Sequence, residues 1–164
     1  MTVFNIALVL SALLCSFVAG FLFAYAIVIM PGLKALDDKQ FIKAFQVTDR
    51  VIQNNHPLFL LVWIGSAIAV IVCAIYGLGK LHGIDFFLLL LVTVAYLIGV
   101  QLSTIVIHLP LNNKLKEIDV ENMSKEGLKA ARVGFELRWN RSNEIRTVIA
   151  CCVSFLLIIL ALRQ

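Results

Sequence analysis

The sequence predicts an all-α protein, a four-helix transmembrane bundle with amphipathic helical extensions on one face. Three observations lead there. The chain is 61% hydrophobic and only 15% charged, whereas a soluble domain sits nearer half apolar and a quarter charged. Four apolar runs approach the ~20 residues that a helix needs to cross a bilayer. None of these runs carries a Lys, Arg, Asp or Glu in its interior. Backbone polar groups in lipid must be satisfied within the segment, so the runs are helices rather than loops or open strands. With 164 residues, residues 1–164 are expected to form one integral membrane domain with spans at about 3–30, 58–78, 86–109 and 147–162.

The first run, Val3 to Met30, is longer than one crossing requires, so it can tilt or project. It is also too long for the apolar region of a signal peptide and lacks a basic leader. Met30-Pro31-Gly32 is expected to end it, because proline disfavours helix at the residue before it. Ala19, Gly20, Ala24 and Ala26 offer small surfaces for a close neighbour.

Residues 33–56 read as an amphipathic helix outside the lipid. Asp37 followed by Gln40 resembles a capping box. Phe41, Ala44, Phe45, Thr48 and Ile52 make one apolar-leaning face, with Lys39, Lys43, Asp49 and Arg50 supplying charge. Asn54-Asn55-His56-Pro57 stops this helix, and Pro57 suits the first turn of the second span.

The turn from Gly79 to Asp85 is short, so spans two and three form an antiparallel hairpin. The third span runs through Gln101, Ser103, Thr104 and His108 into Pro110-Leu111-Asn112-Asn113, where it is expected to stop. Residues 114–127 are charged and partly irregular, and Ser124 is placed to cap the next helix. No proline occurs from Leu128 to Leu162. One long helix, or two nearly continuous ones, is expected there. At 1.5 Å per residue, its 35 residues reach about 50 Å, well beyond the ~30 Å hydrocarbon core.

Charge sets the expected orientation. Twelve of the 14 Lys and Arg residues lie in the two long connections and at Arg146, and two lie in the short turn and the C-terminus. The positive-inside rule puts the long connections in the cytoplasm and the termini outside, in what is read as the plasma (inner) membrane. Basic residues interleaved with acids are no nucleic-acid footprint. The four cysteines (Cys15, Cys73, Cys151, Cys152) lie in apolar runs without a C-x-x-C spacing and are expected to be buried packing residues. No ionisable residue sits at mid-membrane, which argues against a proton-coupled transporter. No nucleotide loop, serine nucleophile motif or H-E-x-x-H is present.

With four spans, the polar clusters at Pro31-Gly32, Asn54 to Pro57, His108 to Asn113 and Arg138 to Thr147 all fall at one face. On the last helix, Trp139, Asn143 and Arg146 share a side, as do Asn140, Asn143 and Thr147. Asn112, Asn113, Asn140 and Asn143 read either as interhelical hydrogen-bonding groups or as a site for a carbonyl or phenol, since an amide both donates and accepts. Trp139 reads as an interfacial anchor or as a stacking surface for a flat ligand. Arg146 is a snorkelling flank or an anion-stabilising group, with Glu136 or Glu144 as a partner. His56 and His108 are interfacial histidines, a general base, or the ligands of a haem or metal. No third ligand has diagnostic spacing, so no cofactor is expected. His82 lies at the opposite face.

Met30-Pro31-Gly32-Leu33, Arg50, Asn55 to Pro57, Pro110-Leu111-Asn112-Asn113, Trp139-Asn140 and Arg146-Thr147 follow one another over almost the whole chain. In that order the chain resembles the anthrone oxygenase-like family of small four-helix membrane proteins. The resemblance implies oxidation of an aromatic anthrone to an anthraquinone by dioxygen, without an obvious cofactor. In the family the Asn and Pro adjoin. Here His56 separates Asn55 from Pro57, and neither His56 nor His108 is carried over as a family position.

The leading expectation is an oxygenase- or oxidoreductase-like protein acting on a hydrophobic aromatic, anthrone- or quinol-like molecule that enters from the bilayer. His56, His108 and Arg146 are its candidate catalytic groups. Asn55, Asn112, Asn113, Trp139, Asn140 and Asn143 are its candidate binding groups. A second expectation is a non-enzymatic partner that assembles with another membrane protein or with itself. It requires a closed polar network without a cavity. A haem or metal electron-transfer subunit is the third.

Overall fold

The computed structural model describes residues 2–54 and 56–164. Asn55 therefore lies outside the described residues. Among the described residues five helices follow in order: α1 (Val3–Lys34), α2 (Asp38–Gln53), α3 (Pro57–Gly77), α4 (Gly83–Lys116) and α5 (Lys125–Leu162). All but α2 are long and apolar enough to cross a membrane. The protein is a four-helix transmembrane bundle, with α2 and the ends of α1, α4 and α5 built onto one face.

Capping residues delimit the helices as their chemistry requires. Asp37 accepts a hydrogen bond from the Gln40 backbone N–H at 2.8 Å, and Ser124 accepts from Gly127 N–H at 3.1 Å. Each satisfies a donor that the first helical turn leaves free. Gly83 takes φ of 57° at the start of α4, a conformation glycine adopts without a Cβ penalty.

Pro31 and Pro110, expected to end their helices, lie inside them. Each follows a widened, π-helical turn, Tyr25–Ile29 in α1 and Thr104–His108 in α4. There Met30 N–H bonds to Tyr25 O and Leu109 N–H to Thr104 O, one residue further back than in an α-helix. In a regular helix a proline ring meets the carbonyl four residues earlier. The preceding wide turn displaces that carbonyl, so the chain stays helical through both prolines. A further π-helical stretch, Ala95–Leu102, lies in the middle of α4.

α1 is central, packing against both α5 and α3, while α4 packs on α5 and on α3. Two cores result. One lies within the spans and includes Leu8, Leu22, Val70, Leu89, Tyr96 and Leu157. α1 meets its neighbours through a stripe of Ala7, Ser11, Ala12, Cys15 and Ala19, all buried, whereas Gly20 faces outward. Cys15 and Cys73 are buried as expected, but Cys151 and Cys152 are exposed. They occupy the α5 side turned away from Ala150 and Val153, which point into the bundle.

The second core lies at the built-up face and joins Met30, Phe41, Phe45, Leu115, Phe135 and Trp139. Arg132 ties it together, donating to Lys34 O (2.9 Å), Leu36 O (2.7 Å), Asp38 Oδ1 (3.1 Å) and Glu136 Oε2 (2.8 Å). Gln46 donates to Leu115 O (2.9 Å) and Ile118 O (3.0 Å) at the end of α4. The buried face of α2 is Phe41, Ile42, Phe45 and Asp49, rotated from the expected one, and Thr48 is exposed. Asp49 can turn inward because amide donors meet its carboxylate there.

Candidate functional site

Where the two cores meet, the spans part around a cavity of about 530 Å³. Its walls are aromatic. Phe21 and Tyr25 come from α1, Phe45 from α2, Phe59 and Trp63 from α3, and Trp139 from α5. Phe59 and Trp63 stack with ring centroids 5.4 Å apart, and Tyr25 and Trp139 lie tilted at 5.7 Å. Such surfaces suit a flat ring, which gains from offset or edge contacts as well as from burial.

Polar groups are set into these walls at chosen points. Gln101 closes the deep end, its Nε2 donating to Trp63 O (3.2 Å), Tyr96 OH (3.3 Å) and Ser66 Oγ (3.4 Å). Above it is Arg146, only 5% exposed. Its Nε donates to Asn143 Oδ1 at 3.0 Å, one terminal nitrogen donates to Thr104 Oγ1 at 3.1 Å, and its guanidinium lies 5.6 Å from the Trp139 ring. Among the described residues Arg146 forms no ion pair. Neither expected carboxylate serves it. Glu136 pairs with Arg132, and Glu144 lines a different cleft. A buried cation is costly without a partner, so the uncompensated charge of Arg146 marks this cavity as a candidate site.

His108 is also buried, in α4. Its Nε2 lies 2.9 Å from Ser142 Oγ, its ring meets Trp139 edge-on at 5.1 Å, and its Nδ1 is buried without a hydrogen-bond partner. With the proton on Nε2 donated to Ser142, Nδ1 keeps a free lone pair.

A relay of amides runs along the cavity rim. Trp139 Nε1 donates to Asn112 Oδ1 at 2.9 Å, and Asn112 Nδ2 donates to Asp49 Oδ1 at 2.8 Å. Gln53 donates to the second Asp49 oxygen, and Lys116 Nζ donates to Gln53 Oε1 at 2.8 Å. Burial pushes the Asp49 carboxyl above its ordinary range, and the bonds from Gln53 and Asn112 oppose that rise. Asn113 is exposed and lines the mouth.

The structure thus brings His108, Asn112, Asn113, Trp139 and Arg146 around one cavity. Asn143 stands behind it, 1% exposed. It holds Arg146 and donates to Leu22 O at 3.3 Å, so it orients the guanidinium instead of facing the cavity. Asn140 is on the other side of α5, in a cleft of about 230 Å³ with Pro31 and Glu144. A helix cannot turn Asn140 and Trp139 to the same side, because adjacent positions are ~100° apart. His56 is exposed at the start of α3 and does not reach the cavity. His56 is exposed while His108 is buried, and among the described residues no three His, Cys, Asp or Glu side chains are grouped to hold a metal ion.

Sequence reasoning missed Tyr25, Asp49 and Trp63. Tyr25 and Trp63 sit in apolar runs and carry no signal beyond composition. Asp49 had one: Phe41, Phe45 and Asp49 recur at four-residue spacing, a single stripe of α2.

A family model described as anthrone oxygenase matches residues 50–157. No curated protein and no solved structure matches the chain.

Proposed function

The chain belongs to the anthrone oxygenase family, and from that premise we propose that it oxidises a flat, hydrophobic aromatic substrate of the anthrone or quinol class with dioxygen. The observation that carries the proposal is the aromatic-walled cavity holding a buried guanidinium without a carboxylate partner. The substrate ring lies between the aromatic walls, its carbonyl oxygen toward Arg146. His108, which lines the cavity, takes a proton from the activated ring C–H. The electron pair of that bond delocalises onto the carbonyl oxygen as a phenolate, which Arg146 stabilises together with the Asn112 and Asn113 amides. The carbanion adds to dioxygen, and the peroxide anion recovers the proton from His108. Loss of the second ring hydrogen with cleavage of the O–O bond then forms the new carbonyl and releases water. The balance is one anthrone and one dioxygen to one quinone and one water.

Asn143 supports the reading by fixing the guanidinium, and Trp139 by orienting Asn112. The apolar faces of Ile64, Ile105 and Leu109 border the cavity and are exposed at membrane depth, which fits a substrate drawn from lipid. The alternative of an assembly partner calls for a polar cluster without a cavity, and its main docking face, the apolar side of α2, is covered by α5 and α4 in this same chain. The excess of Lys and Arg in the long connections supports a cytoplasmic site in a plasma membrane with both termini outside.

The test is oxygen consumption by the purified protein in bilayers, across a panel of anthrones and quinols. Uptake matched by quinone formation supports the proposal. No uptake with any member of the panel defeats it.

A further inference from the structure

On the outer side of the bundle, α4 and α5 leave a second groove, of about 610 Å³. Its walls are Ile107, Ile145 and Ile149, and its floor is Gly99 and Ser103. Gly99 sets its depth: a Cβ there would lie 2.7 Å from Ile149 Cδ1, so the two helices touch directly beneath it. Partway along its α5 wall stand Arg138 and Arg141, and Val133, Gly134 and Leu137 continue the lining beyond them. Both arginines are exposed, and among the described residues neither forms an ion pair. Glu136 is engaged by Arg132 and Glu144 lines the cleft on the other side of α5, so among the described residues neither of these nearby carboxylates pairs with the two cations.

Depth identifies what the arginines face. A hydrocarbon core of ~30 Å takes ~20 helical residues. Counted back from Leu162, that reaches Asn143. Arg141 and Arg138 then project about 3 and 8 Å beyond it, within the headgroup layer. Only the part of the groove below them, lined by Ser103, Ile145 and Ile149, lies at acyl-chain depth. An uncharged lipid satisfies the groove but leaves two guanidinium groups at phosphate level. A free anion satisfies the guanidinium groups but leaves the apolar groove open.

We propose that this groove is a binding site for an anionic glycerophospholipid, with the phosphate between Arg138 and Arg141 and one acyl chain along the crease between α4 and α5. Arginine suits the role because its planar fork meets phosphate oxygens two at a time. The site is separate from the aromatic cavity and does not depend on the reaction proposed there. Ser142 lines this groove while its hydroxyl contacts His108, which lines the cavity. Lipid and substrate thus share one wall.

The test measures thermal stability of the full chain in mild detergent, titrated with phosphatidylglycerol, phosphatidylcholine or inorganic phosphate. Phosphatidylglycerol should stabilise the protein at a roughly 30-fold lower half-saturating concentration than phosphatidylcholine, the preference expected of two interfacial arginines. Inorganic phosphate should not stabilise it. In the double variant Arg138→Gln and Arg141→Gln the preference should vanish, and Ser103→Phe, which fills the crease, should weaken the response to both lipids. The double variant alters only exposed side chains, and unchanged tryptophan emission confirms its fold. Equal responses to the two lipids would overturn the proposal. So would a preference that survives the double variant, or stabilisation by phosphate alone.

Discussion

The two ends of this bundle are made of the same four helices yet behave differently. At the end holding the short turn, Phe4, Leu8, Leu89, Leu157 and Leu160 are at most 1% exposed, and Arg163 pairs with Asp85 at 2.9 Å. At the other end the spans part around a 530 Å³ cavity with a buried, unpaired arginine. The three π-helical stretches among the described residues lie toward this second end or lead into it, and they carry Tyr25, Gln101, Thr104 and His108, each a lining residue. Widened turns are a recurrent mark of functional positions. The difference teaches that close apolar packing, with one ion pair at its edge, builds the first end. The second is shaped by backbone irregularity and by α2, which brings Phe45 and Asp49 over the opening.

Substitutions can break that contrast at either end. The largest effects should fall on turnover at the open end. His108→Gln removes the proposed proton acceptor and is expected to lower turnover by about 10²–10⁴-fold, whereas the same change at exposed His56 should leave it unaltered. Oxygen-uptake rates of the two variants compare the histidines directly. Arg146→Gln removes the cation proposed to face the phenolate and should lower turnover by roughly 10²–10³-fold. It should not reduce thermal stability, since the lost charge was buried without an ionic partner. At the closed end the pattern reverses. Leu157→Ala opens a void in the packed core and should cost about 2–5 kcal/mol of stability, read as a fall in Tm, without changing the turnover of the molecules that remain folded.

The smallest effect concerns Asp49. Its carboxyl is held above the ordinary value of 3.8 by burial. A raised carboxyl favours the protonated form in the folded state. Its stabilising contribution is therefore complete below the ordinary value and is lost as pH rises through the raised one. Asp49→Asn removes that titration and should flatten the dependence. The difference in Tm between pH 4 and pH 7.5 should be smaller in the variant than in the parent chain.

Much of this architecture is legible in the residues. The four spans, the caps at Asp37 and Ser124, and the long last helix follow from run length and local hydrogen-bonding chemistry. The approach of Asn112 to Trp139 could be anticipated from two helix ends at one membrane face. The passage of α1 and α4 through Pro31 and Pro110 could not, because a widened turn has no residue signature and proline ordinarily marks a stop. The rotation of α2 was hidden for a related reason. A charged residue reads as solvent-facing until the amides of Gln53 and Asn112, from two different helices, are seen to meet it. Asn140 and His56 were grouped with the site by depth along the membrane normal. Azimuth around each helix decides which side chains converge, and depth does not report it.

The central claim is that the cavity takes up a flat aromatic molecule. The chain has two tryptophans, Trp63 and Trp139, and both line that cavity. Their emission is therefore a built-in reporter. Titration of the bilayer-embedded protein with an anthrone should quench it saturably, and the concentration at half-quenching should rise in the Arg146→Gln variant. Quenching that grows linearly with ligand in the lipid phase, equal in both proteins, would contradict the account.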